Sequence, residues 1–183
     1  SRGLGDVYKR QEKLRLRAYG TPTDSSPVFL EIKKKYDGVV YKRRVSTDFA
    51  QAMRFLTEGI PPESGDYVAR QVTAEMTHMI RRDGLIPRAA VFYDRRAFHG
   101  ADDPELRLTL DGNIRYRLGD LDLRNGTDGD TIPGQPFRIM EIKSASSIPL
   151  WLAGTLSELG IHPGSFSKYG SVYKQRFQDL CTT

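Results

Sequence analysis

The chain has 183 residues, 38% of them hydrophobic and 28% charged, enough for one domain with a real core or for part of a larger one. Its 28 Lys and Arg against 23 Asp and Glu give a formal net charge of +5 and a pI near 9.3, which favours an anionic partner. No run of 18 apolar residues and no signal-peptide pattern occurs, so no membrane segment is expected in this chain. The lone Cys181 cannot pair within the chain, so it is read as intracellular and cytoplasmic.

Residues Ser1 to Gln11 lack apolar periodicity, and Asp6 to Gln11 (DVYKRQ) resembles the translation of a transposon end used in sequencing libraries. Residues 1–11 are therefore read as a non-native leader or sequencing scar, and 12–180 as the domain. The leader carries +2 of the net charge, leaving +3. Lys13 to Tyr19 alternates strictly, with Lys13, Arg15, Arg17 and Tyr19 opposite Leu14, Leu16 and Ala18, which predicts a strand. After a loop at Gly20 to Pro27, Val28 to Val45 (VFLEIKKKYDGVVYKRRV) reads as a hairpin, because Asp37-Gly38 is the dipeptide a two-residue turn favours. Its charge falls on one face, through Glu31, Lys33 and Lys35 on one strand and Lys42 and Arg44 on the other.

A helix capped by Ser46 or Thr47 follows near Asp48 to Thr57, then a second from Asp66 to Arg82 ended by Asp83-Gly84. Pro87 to Phe98 predicts a strand with Val91, Tyr93 and Arg95 on one side. Leu106 to Asp111 predicts another, with Arg107, Thr109 and Asp111 opposite three leucines, and Gly112-Asn113 reads as a hairpin turn into Ile114 to Arg117. Leu118 to Gln135 reads as a long loop or a weak strand plus loop, its acidic run a solvated one, and Phe137 to Lys143 as a strand with Ile139, Glu141 and Lys143 on one side. A helix from Ser147 or Pro149 should pack Trp151, Leu152, Leu156 and Leu159 on the sheet, and a last helix spans Ser167 to Leu180.

Two architectures fit this pattern. One is an open antiparallel sheet with a solvated face, and the other is a barrel with a polar, basic interior and flanking helices. Arginine favours the barrel: Arg15, Arg17, Lys33, Lys42, Arg44, Arg95 and Arg107 recur at equivalent positions on five strands. Arg presents forked donors suited to phosphate oxygens and Lys a compact point charge, so a line of both suits an extended polyphosphate. Glu31 and Glu141 either neutralise neighbours or hold a hard divalent cation with phosphate oxygens. Ser167 and Lys168 either cap a helix or bind phosphate at its start. His78, His99 and His162 are far apart and read as surface or structural.

The ordered set KLRLRAYG, FLEIKKKYDGVVYKRRV, YDRRAF, LRLTLDGNIRYR, MEIK, PLWL and FSKYGSVY resembles the polyphosphate polymerase domain related to the catalytic subunit of the vacuolar transporter chaperone complex. That family belongs to the CYTH-like triphosphate tunnel metalloenzymes. The resemblance implies an α+β fold, an antiparallel β-barrel tunnel whose first strand is missing from this chain, so that the chain as it stands is expected to be inactive. It implies that Arg15, Arg17, Lys33, Lys42, Arg95 and Arg107 act on the phosphates in catalysis, that Arg44, Lys143, Ser167 and Lys168 bind phosphate, and that Glu141, with Glu31, holds Mn²⁺ or Mg²⁺. Ser165 stands where the family pattern has a lysine.

The implied reaction is transfer of the γ-phosphoryl group of ATP onto a growing inorganic polyphosphate chain. The alternatives are an inorganic or nucleoside triphosphatase, with water as acceptor, and a non-catalytic polyphosphate or nucleotide sensor. Nucleic acid is not expected, since only Tyr19 and Tyr93 are placed to stack bases beside the arginines. The resemblance leaves room for a membrane-associated partner.

Overall fold

The computed structural model describes residues 10–37, 39–132 and 138–181. They form a mixed α+β structure of seven strands in two antiparallel sheets and four α-helices. They divide into two compact units, one running up to Arg88 and including Asp122–Gly126, the other taking Ala89–Leu121 and the residues from Thr127 onward. No helix among the described residues is long and apolar enough to cross a membrane.

The first unit is a three-stranded meander of β1 (Arg10–Arg17), β2 (Pro27–Tyr36) and β3 (Val39–Asp48). Residues 1–9 of the expected leader lie outside the described residues, while Arg10 and Gln11 open β1 opposite Tyr36 and Lys35. Tyr36 pairs with Val39, and Asp37 has φ 46°, the left-handed value that a two-residue loop requires at this position. Gly38, the other half of that turn, lies outside the described residues. Leu14 and Leu16 face Ile32 and Leu30, and Leu30 faces Val45, so the apolar alternation of all three strands falls on one side. A slip of one residue would put that set in water, which is what holds the register.

Two helices cover the apolar side, α1 (Phe49–Glu58) and α2 (Tyr67–Asp83). The core joins Val28, Leu30, Ile32 and Val45 of the sheet to Phe49, Ala52 and Phe55 of α1 and Val72, Met76 and Met79 of α2. Each such large side chain contributes about 1.5–3 kcal/mol by leaving water. Asp48, rather than Ser46 or Thr47, caps α1 by accepting from the Gln51 N–H at 2.7 Å. Ser46 and Thr47 are still paired with Phe29 and Val28, so the strand runs on to the cap. Asp66 caps α2, and Gly84, at φ 58°, closes it in the left-handed conformation that lets its N–H reach the Ile80 carbonyl.

In the second unit β5 (Arg107–Arg117) is central. It pairs with β4 (Ala90–His99) on one edge, and with β6 (Asp130–Thr131) and β7 (Ile139–Lys143) on the other. Residues 133–137, including Phe137 of the expected last strand, lie outside the described residues. Gly112-Asn113 is not a hairpin turn: β5 runs straight through it. Asn113, at φ 50°, lies where the β4–β5 register shifts between Phe92 and Asp94, which makes it a β-bulge. The extra residue flips the alternation, so Ile114 and Tyr116 fall on the same side as Asp111. They join Ile132 and Val172 in a small core, with Val91, Tyr93 and Ile139 packed against it.

The helices here are α3 (Leu150–Glu158) and α4 (Lys168–Cys181). Of the residues expected to pack α3 on the sheet, Leu152 is buried and Leu156 half-buried, whereas Trp151 and Leu159 are exposed. The sequence LWLAGTL places apolar residues all round the helix, and no single face can bury them. Neither sheet closes on itself among the described residues, so the expected barrel is not seen.

Candidate functional site

The two faces of the first sheet treat charge differently. On the helix-covered side Lys34, Arg43 and Arg82 are matched by carboxylates. Lys34 lies 2.7 Å from Glu75 and 3.4 Å from Glu12, Arg43 lies 3.0 Å from Glu75, and Arg82 bonds to Glu12. On the opposite side the register aligns Lys13, Lys33 and Lys42 in one row, Arg15, Glu31 and Arg44 in the next, and Arg17, Phe29 and Ser46 in a third. Glu31 is the only carboxylate in those rows. It accepts from Arg15 Nε at 2.8 Å and from Arg15 Nη2, and its other oxygen is 3.6 Å from Arg17 Nη1. Lys33 and Lys42 are exposed and have no carboxylate partner among the described residues. The Arg44 guanidinium lies 5.1 Å over the Phe29 ring, whose edge meets Tyr19.

In the second unit the corresponding rows are His99, Arg107 and Lys143, then Ala97, Thr109 and Glu141, then Arg95, Asp111 and Ile139. Asp111 is the anchor. Its side chain is 3% exposed and takes Arg95 Nε at 2.6 Å, Arg95 Nη2 at 2.8 Å and Lys168 Nζ at 2.6 Å. Burial would raise its pKa, but the hydrogen bonds from Arg95 and Lys168 outweigh that and hold it below the ordinary carboxylate range. The same bonds to Asp111 push the Arg95 guanidinium further up, with Tyr93 and Glu141 adding to the pull. Both cations also lie over the Tyr93 ring, Arg95 at 5.2 Å and Lys168 at 4.5 Å. Arg107 is exposed, and Glu141, half exposed, is 3.3 Å from Lys143.

The VTC domain family model matches residues 6–177. The chain belongs to the VTC domain family. No curated protein matches it significantly.

The VTC domain thus displays Arg15, Arg17, Lys33, Lys42, Arg44 and Glu31 on one face of its first sheet, and Arg95, Arg107, Glu141 and Lys143 on one face of its second. Ser167 is the α4 cap, its Oγ accepting from the Gly170 N–H at 3.1 Å, and Lys168 is pinned to Asp111. Among the described residues no three His, Cys, Asp or Glu side chains group as a metal cage. Glu141 nonetheless fits Mg²⁺ or Mn²⁺ held by one exposed carboxylate and phosphate oxygens. Glu31 does not fit, because guanidinium groups engage both its oxygens.

Three residues of these faces went unassigned from sequence. Lys13 alternates with Arg15 and Arg17, and Asp111 with Arg107, so the signal for both was in their strands. His99 had none, since only the pairing of β4 with β5 brings it beside Arg107.

Proposed function

We propose that this VTC domain binds inorganic polyphosphate on its cationic faces and, in a basic antiparallel tunnel, transfers the γ-phosphoryl group of ATP to the growing chain. One observation carries the reading: among the described side chains, the cations in the three open-face rows of the first sheet outnumber their single carboxylate, which two arginines already engage, whereas Lys34 and Arg43 on the other face are paired with Glu75. A sheet tolerates such a face where water or a bound anion meets it, and repeated Lys and Arg suit a repeated anion. The tunnel in this reading is what the family resemblance implies.

In that reaction a terminal oxygen of the polyphosphate forms the new bond to the γ-phosphorus while the bond to the ADP oxygen breaks. No protein nucleophile is required, so catalysis is positioning and charge stabilisation. Lys33, Lys42 and Arg44 offer donors to the chain without first breaking a carboxylate pair, and Arg107 does the same in the second unit. Arg95 and Lys168 are held in place by Asp111, with remaining N–H groups to spare. Glu141 would hold Mn²⁺ or Mg²⁺, which when bound neutralises charge on the transferring phosphoryl group.

A second reading, a sensor without turnover, draws support from Glu31, whose engagement by Arg15 and Arg17 lets the first face bind phosphate without metal. Calorimetric titration of the chain with long-chain polyphosphate, followed by incubation of an N-terminally extended form with ATP and Mn²⁺ and separation of the products, tests both. Saturable binding that weakens with salt, together with ADP and longer chains, is the expected result. ADP with free phosphate instead selects the triphosphatase, and binding without ADP release selects the sensor. No binding at low salt overturns the proposal.

A further inference from the structure

The two carboxylates in the rows of the second sheet are held differently. Glu141 is half exposed, at the surface beside Lys143. Asp111, one row away, is buried beneath the cations it holds, whose own side chains stay partly exposed. The negative charge therefore lies under the positive ones, and an anion arriving from solvent meets the cations first. Because Coulomb energy falls with distance, their attraction outweighs the repulsion from the carboxylate behind them.

The bonds to Asp111 also fix where those cations point. Arg95 gives it Nε–H at 2.6 Å and one N–H of Nη2 at 2.8 Å, a fork that sets the plane of the guanidinium and leaves both N–H groups of Nη1 uncommitted. Lys168 Nζ donates at 2.6 Å to the same Oδ2 that Arg95 Nη2 uses. Two cations sharing one oxygen repel each other, and the carboxylate between them keeps both in place. The Tyr93 ring lies against the pair, 5.2 Å from the guanidinium and 4.5 Å from the ammonium. Lys168 opens α4, whose Val172, one turn on, is buried with Ile114, Tyr116 and Ile132. One side chain of β5 thus ties a residue of β4 and the start of α4 into a single cationic pair.

We propose that Asp111 is a positioning residue of the phosphate site: by holding Arg95 and Lys168 as one pre-oriented pair, it strengthens the binding of an oligophosphate although it carries the same sign of charge. The inference rests on the polyphosphate reading, in which Arg95 and Lys168 contact phosphate, and adds to it a residue that touches none. A counter-ion and a positioning residue differ in the sign of their effect. As a counter-ion alone, Asp111 would offset part of the cationic charge, and neutralising it would tighten anion binding. As a positioning residue, its loss lets two long side chains regain rotamer freedom that binding must freeze again, so affinity falls while the protein becomes more positive.

The test is calorimetric titration of tripolyphosphate, without metal and at low salt, into the protein and its Asp111→Asn, Lys168→Met and Asp111→Asn/Lys168→Met variants, all at one temperature below the lowest melting transition. Asp111→Asn should weaken binding about fivefold, and Lys168→Met about tenfold, the loss of one charge-assisted contact. The double variant should lose clearly less than the product of the two, about fiftyfold, because Asp111 acts in part through Lys168. Unchanged or tighter binding in Asp111→Asn overturns the proposal and leaves the polyphosphate reading standing, and so does a double variant that loses the full product. A second measurement uses the unaltered protein. The Arg95 Nε–H signal in its proton–nitrogen NMR spectrum, identified by its absence in Arg95→Lys, should be resolved in the free protein and stay so with tripolyphosphate bound, because Asp111 keeps the fork. Loss of that signal on binding would mean that phosphate displaces the carboxylate, which also overturns the proposal. If the unaltered protein binds neither tripolyphosphate nor long-chain polyphosphate, both readings fall.

Discussion

Replacing Asp111 by Asn keeps the shape of the side chain and removes the charge that fastens Arg95 and Lys168 to β5. Asp111 is 3% exposed, while the side chains of Arg95 and Lys168 are 33% and 23% exposed. Breaking a fully buried pair costs about 3–5 kcal/mol, because a charge is stranded away from water. Here the stranded cations keep part of their hydration, so the loss is discounted to about 2 kcal/mol. In a chain of this length that lowers the melting temperature by about 4–8 °C. The pH dependence follows from the depressed pKa of Asp111. A carboxylate held below its unfolded value stabilises fully above about pH 4 and loses that contribution as pH falls through the folded value. Urea denaturation of wild type and Asp111→Asn should therefore differ at neutral pH and converge in strong acid. Equal midpoints at neutral pH, or a gap that persists undiminished in acid, would refute the anchoring role.

Glu31→Gln distinguishes counter-ion from metal ligand. As a counter-ion its removal frees Arg15 and Arg17 and tightens polyphosphate binding several-fold without metal, whereas loss of a metal-dependent component in the titration would show it to be a ligand. Glu75→Gln breaks the pairs to Lys34 and Arg43 on the helix side, all partly exposed, so a loss of about 1 kcal/mol by urea denaturation is expected with polyphosphate affinity unchanged.

The alternation of KLRLR, FLEIKK and YKRRV placed the charged residues of those three stretches on their observed faces, because a period of two leaves little freedom once one side is buried. The ends of α2 were nearly as legible, since Asp66 and Asp83-Gly84 act through local backbone chemistry. Gly112-Asn113 misled because the same residues suit a turn and a bulge, and the pairing of β5 with β4 makes the difference. The exposure of Trp151 and Leu159 was hidden for a related reason, as a helix apolar all round carries no instruction about which side to bury. Pairing also decided the fate of the candidate site residues. β1 brings Arg15 and Arg17 to Glu31, and α4 begins beside a buried Asp111 that holds Lys168, neither of which a strand read alone contains.

The central claim is that the open face of the first sheet binds polyphosphate. Fluorescence anisotropy with labelled long-chain polyphosphate, comparing wild type with a Lys33→Ala/Lys42→Ala variant at low ionic strength, tests it most directly. Both lysines are exposed and unpaired with carboxylates among the described residues, so the variant should melt like wild type. It should bind about a hundredfold more weakly if each contact counts for about tenfold. Unchanged affinity in a folded double variant would contradict the claim.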